Sequence, residues 1–248
     1  MKIAIRNIWA ITKRELIGFF TSPVAYVFMV VCLLLLGFLT FFLAHWFSTG
    51  QASLSDFFAF HPWVYLILVP AIGMGLWSEE RRQGTIELLL TMPVAPWEAI
   101  VGKFLAAWAV LGITLVLTFP MVITVNYLGH PDNGIILAGY FGSFLMAGAF
   151  LGVTSIISAL TRSPLVAFVV SVTICFFLIL AGFSPITDML VHWANPAVVD
   201  TIAAFSVVTH FMGLQKGVLD SRDLIYFASV IGFSLFTTSV IIRAHRAG

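Results

Sequence analysis

The densest group of charges is Glu79-Glu80-Arg81-Arg82, which opens the stretch EERRQGTIELLLTMPVAPWEAIVGK. Two carboxylates beside two guanidiniums form a compact polar handle. Gly84 permits a turn after it, and Thr85 is placed to cap a short helix over 86–90 that Pro93 and Pro96 then end. The stretch finishes in the chain's one Gly-Lys pair, Gly102-Lys103. A phosphate-cradling G-x-x-x-x-G-K-[ST] needs glycine where Trp97 stands and a hydroxyl where Phe104 stands, so no such nucleotide site is present. His45, His61, His130, His192 and His210 fall near one side with Asp56, Asp132 and Asp188, but none has the H-E-x-x-H spacing. They read as interfacial or hydrogen-bonded histidines, and no metal site is expected. Cys32 and Cys175 lie inside apolar runs and read as small buried hydrophobes. No G-x-S-x-G nucleophile setting occurs.

The elements that position this handle follow from composition. Of 248 residues, 60% are hydrophobic and 9% charged, with a mean hydropathy of +1.06. Soluble domains carry roughly 25% charge, so a water-facing globule is excluded. The 24 Phe and 7 Trp exclude a disordered chain. An all-α polytopic membrane protein remains. Apolar stretches at 24–44, 62–77, 104–126, 136–160, 165–186 and 224–242 predict six transmembrane helices.

Placing the N-terminus in the cytoplasm puts Lys2, Arg6, Lys13, Arg14, Arg81, Arg82, Lys103, Arg162, Arg243 and Arg246 inside, and only Lys216 and Arg222 outside. The positive-inside rule selects that orientation, with both termini cytoplasmic. The six Asp fall outside while Glu15, Glu79, Glu80, Glu87 and Glu98 fall inside, a split without a physical account. None of the six stretches contains Asp, Glu, Lys, Arg or His, which disfavours an ion-coupled transporter or a channel. Those readings and a passive membrane scaffold stay open as alternatives.

Three further segments are more than spans or simple loops. In 1–20, Ile5, Ile8, Trp9, Thr12, Leu16, Phe19 and Phe20 recur at helical steps, with Asn7 and Arg14 opposite and Lys2, Arg6 and Lys13 at the margins. This predicts an amphipathic helix in the cytoplasmic interface, with Arg6, Trp9, Lys13 and Arg14 at the headgroups. In 136–160, Gly139, Gly142, Ser143, Ala147, Gly148 and Gly152 let helix backbones approach closely, within the chain or between copies. The segment 187–223 is too apolar for a free loop, with Trp193, Val198, Val199, Phe205, Val207 and Val208. It predicts short extracytoplasmic helices lying on the outer surface or re-entering it.

The loop EERRQGTIELLLTMPVAPWEAIVGK, the turn SALTRSPLVAF and the approach HFMGLQKGVLDSRDLIYFAS resemble an ABC-2 type transporter permease, in the gliding-motility and nitrous-oxide-reductase-maturation branch. Glu80, Gly84, Thr85, Glu87, Leu89, Pro93 and Lys103 match that family's loop pattern. The resemblance implies a single ABC-2 transmembrane domain over 1–248 in the inner (cytoplasmic) membrane of a prokaryote. It implies that Glu79, Glu80, Arg81, Arg82, Gly84, Thr85, Glu87, Leu89 and Pro93 form a coupling helix and docking surface for a separate ABC ATPase. ATP and Mg would be held by that partner, with no cofactor on this chain and no enzymatic site of its own. It further implies a second permease copy or paralogue, an auxiliary periplasmic or membrane subunit as an optional partner, and no nucleic acid. The outer segment would form a gate with His210, Asp220, Arg222 and Asp223. The function implied is export, or mechanical transmission, driven by the partner's hydrolysis.

Overall fold

Proline placement sets where several helices begin. The computed structural model describes residues 2–50, 52–85, 94–183, 185 and 201–244. Among these, α1 (Lys2–Thr21) leads to α2 (Pro23–Phe38), which continues as a π-helical turn, Leu39–Leu43. A 3-10 turn (Trp46–Thr49) and the short α3 (Ser55–Ala59) precede α4 (His61–Gly73) and α5 (Gly75–Gln83). Next come α6 (Pro96–Val116), α7 (Pro120–Leu128), α8 (Asn133–Leu160), α9 (Pro164–Leu180), α10 (Val207–Gln215) and α11 (Ser221–Ala244). Pro23, Pro96, Pro120 and Pro164 each open a helix, where a missing N–H leaves no bond unmade. Asp132 caps α8 by accepting the N–H of Gly134 at 2.8 Å, and Ser206 caps α10 through Val208 N–H at 3.2 Å.

The long helix α8 is the core around which the others pack. Its small residues make this possible. A Cβ on Gly139 would meet the Phe58 ring at 2.5 Å, and one on Gly152 would meet Ser234 of α11 at 2.9 Å. Gly142 abuts Leu214 of α10, and Gly148 abuts Trp108 of α6. The glycine stripe is therefore used within the chain. Trp108 stacks on Phe144 with centroids 4.4 Å apart and donates its indole N–H to Phe144 O at 2.9 Å.

Four stretches among the described residues are long and apolar enough to cross a membrane: Ala25–Leu43, Pro96–Leu128, Asn133–Leu160 and Ser221–Ala244. The first lies within the expected span 24–44, and the other three contain the expected third, fourth and sixth spans. The expected span 62–77 is divided at Met74 into α4 and α5, and that at 165–186 holds the 17-residue α9. Each of these is shorter than an untilted crossing of about 20 residues. The protein is a helical, multi-pass membrane protein.

Helix α1 departs from the expected single apolar face. Ile8, Ile11, Thr12, Glu15 and Leu16 turn toward the bundle, whereas Ile5 and Trp9 are 60% and 69% exposed. Asn7, expected on the far side, faces inward and donates to Glu98 at 3.0 Å. Period counting located the helix but could not tell a protein-facing stripe from a lipid-facing one. Gly102 of α6 has Ile11 against it, and the Thr12 hydroxyl lies 3.1 Å from Gly102 O, so α1 packs directly on α6.

Candidate functional site

At the Leu160 end of α8 the backbone of the α4–α5 joint is completed from another helix. The first N–H groups of α5 lack intrahelical partners. Ser158 Oγ accepts the N–H of Trp77 and of Ser78, each at 3.0 Å, and donates to Met74 O at 2.7 Å. One hydroxyl thereby spends its single proton and both acceptor positions. Trp77, fully buried, also donates its indole N–H to Ser155 Oγ at 3.2 Å. Arg81 donates to Ala159 O at 2.6 Å. Burial lowers the Arg81 pKa from its usual value, and the nearby Arg162 charge adds to that.

Helix α5 carries the charged handle and stops at Gly84, whose φ of +71° suits glycine. The Thr85 N–H returns to Glu80 O at 3.0 Å. Arg82 and Gln83 both donate to Glu79 Oε1, at 2.5 and 2.7 Å. The Arg82 hydrogen bond is the main reason the Glu79 pKa lies below its usual value. The helix expected over 86–90, with Glu87, Leu89 and Pro93, lies outside the described residues.

Lys103 is the centre of this region. Its side chain is 6% exposed, and its Nζ lies 2.9 Å from Glu80 Oε1 and 3.4 Å from Glu15 Oε2. The same ammonium sits 5.5 Å from the Trp77 ring centroid. One cation thus ties α1, α5 and α6 together. Arg14, 2.6 Å from Glu15 Oε1, adds a second positive charge to the group. Glu80 Oε2 is buried and has no hydrogen-bond partner among the described residues. Glu98 completes the tie to α1: its carboxylate accepts Asn7 Nδ2 at 3.0 Å and Ala95 N–H at 3.3 Å.

Of the residues singled out in sequence, Glu79, Glu80, Arg81 and Arg82 come together on α5, with Gly84 and Thr85 closing it. Arg6, Trp9, Lys13 and Arg14 are all exposed on α1. Sequence reasoning overlooked Glu15, Glu98, Ser158 and Asn7 as parts of the site. Lys103 was visible only as part of a loop pattern. The available signal was a lone acid in an otherwise basic amphipathic helix and a lysine at the edge of an apolar run.

At the opposite end of α8, His210 Nδ1 lies 2.7 Å from Asp223 Oδ1, and its Nε2 lies 3.0 Å from Ala204 O. Tyr226 stacks on His210 with centroids 4.0 Å apart and donates to Phe205 O at 2.6 Å. Asp220 Oδ1 instead accepts Arg222 N–H at 3.0 Å, at the start of α11, and the Arg222 side chain is exposed. Of the four expected gate residues, His210 and Asp223 pair through their side chains, while Asp220 binds the backbone of Arg222. Trp193, Val198 and Val199 lie outside the described residues.

Residues 9–203 match the family described as ABC-2 family transporter protein. Two curated relatives, from Escherichia coli (strain K12) and Escherichia coli O157:H7, are each named "Probable multidrug ABC transporter permease YbhR". Each is 28% identical over 145 residues, covering 58% of this chain and 39% of the relative. The matched part therefore spans about two fifths of those relatives' length.

Proposed function

Since the chain belongs to the ABC-2 family of transporter proteins, we propose that it is a permease subunit that couples ATP hydrolysis on a separate ABC ATPase to export or mechanical transmission. The observation that carries this reading is the position of Lys103. A force applied to the stretch after α5 reaches Glu80 first, and the buried ammonium passes it to Glu15 on α1 and to α6. Pulling Glu80 away would strip the buried Lys103 ammonium of its 2.9 Å partner, so this contact resists separation. Ser158 and Arg81 fasten the same helix to α8. The α5 handle therefore moves with the bundle rather than on a slack tether.

In this reading the six stretches named above all cross, the two shorter helices extending through neighbouring residues, and both termini face the cytoplasm of a prokaryotic inner membrane. Residues 79–93 dock on the ATPase, which holds ATP and Mg, and this chain performs no hydrolysis. A second permease copy or paralogue completes the path, an auxiliary subunit is an optional addition, and 187–223 with His210 and Asp223 closes the outer side. The relatives' name supports drug-like substrates as one cargo class.

The test is a mild-detergent pull-down from native membrane followed by mass spectrometry and an ATPase assay. The expected result is a stoichiometric P-loop ATPase whose hydrolysis stops when its Walker lysine is changed. A pure preparation without such a partner would overturn the reading and move ion flux in liposomes to the front.

A further inference from the structure

A cavity of about 600 Å3 opens between α1, α2, α4, α5 and α6, a size within the roughly 300–1,000 Å3 of small-molecule sites. Its character changes along its length. Phe28, Ile72 and Val110, from the apolar parts of three helices, supply hydrocarbon walls, while Glu15 and Glu79 at the handle end supply carboxylates. Among the described residues no cation lines it directly, although Arg14 and Lys103 pair with Glu15 from outside the lining. Both described hydrogen bonds of Glu79 fall on Oε1, which leaves Oε2 as an acceptor. Arg82, paired to that carboxylate, is 61% exposed in its side chain.

We propose that this cavity holds one membrane phospholipid with an amine headgroup. Its acyl chain lies against Phe28, Ile72 and Val110, its amine meets Glu79, and its phosphate meets Arg82. Glu15 is already paired with Arg14 and Lys103, so the open acceptor is Glu79 Oε2, to which a wholly anionic headgroup offers no donor. The apolar-to-acidic gradient matches an amphiphile entering from the bilayer, and the adjacent acid and base match a zwitterion. The proposal goes beyond ATPase coupling and does not depend on it.

Two glycines make the test clean. Gly18 and Gly75 line the cavity, and a Cβ at either meets nothing within 4 Å, so a larger side chain grows into the space. Gly37 and Gly232 are equally open but are not among the lining residues. The full chain, purified in mild detergent and offered equal phosphatidylethanolamine and phosphatidylglycerol, is read by native mass spectrometry. Wild type, Gly37→Leu and Gly232→Leu should retain phosphatidylethanolamine in preference. Gly18→Leu and Gly75→Leu should each retain about tenfold less, and Glu79→Gln should keep lipid but lose the preference. Equal retention by both cavity-filling variants, or no headgroup preference in wild type, would overturn the proposal. Because the readout requires no ATPase, either failure leaves the permease reading standing.

Discussion

Asn7 and Glu98, 91 residues apart in the chain, share a hydrogen bond of 3.0 Å that joins α1 to the first turn of α6. The Glu98 carboxylate simultaneously accepts Ala95 N–H, so one acid both anchors the amphipathic helix and finishes the helix that follows the loop. Helix α1 is in this respect a structural member of the bundle, with a lipid-compatible outer face carrying Ile5 and Trp9.

Replacing Asn7 by Leu should cost about 1–3 kcal/mol, because the 7%-exposed Glu98 loses one donor. Thermal unfolding in detergent would register it as a lower midpoint, and limited proteolysis should cut α1 sooner. An unchanged midpoint together with unchanged cleavage would refute the anchoring role.

Lys103→Met leaves Glu15 and Glu80 facing a site without its ammonium, a loss of about 3 kcal/mol. The double variant Lys103→Met with Glu80→Gln should regain part of it, since one of the stranded charges is gone. Strict additivity in a double-mutant cycle would show that the 2.9 Å pair carries no coupling.

Ser158→Ala strips the acceptor from two buried amides and the donor from Met74 O. A destabilisation of about 2–4 kcal/mol is expected from these lost partners together. Hydrogen exchange at Trp77 and Ser78 should accelerate while exchange in α11 stays as before. Protection retained at those two amides would contradict the cross-helix cap.

Reversing the handle, with Glu80→Lys and Arg81→Glu, should lower ATPase co-purification by about tenfold, the equivalent of 1.4 kcal/mol. Membrane insertion, followed by fractionation, should persist. If the ATPase still co-purifies at the wild-type ratio, the docking surface lies elsewhere.

For topology, Asp220→Cys places a thiol at an exposed site beside the start of α11. With Cys32 and Cys175 both buried, an impermeant thiol reagent added outside intact cells should label the variant selectively. Labelling only from the cytoplasmic side would invert the orientation.

Much of the helical layout was legible because apolar runs and prolines act locally. Pro23 separates α1 from the first span without any tertiary information, whereas in sequence Pro96 reads as a helix end and Pro120 falls inside an expected span. The handle was legible for the same reason, being four consecutive charges. The division at Met74 was hidden, because Ser158, far along the chain, completes its backbone bonding. Lys103 was hidden too, since nothing in its neighbours reveals that its partners are Glu15 and Glu80. The direction of α1 was misjudged because Ile5 and Ile8 are equally apolar, and only the packing of Ile11 against Gly102 separates their roles.

The Ser158 hydroxyl also sets an order of events during synthesis. Its bonds to Trp77 and Ser78 span 81 and 80 residues of chain. At about 5–20 residues per second, that separation corresponds to roughly 4–16 s of elongation. Through that interval the amides at the start of α5 must keep water or translocon partners, because lipid offers them none. The joint between α4 and α5 therefore matures late, when the far end of α8 arrives, and truncation before Ser158 should leave it accessible to solvent.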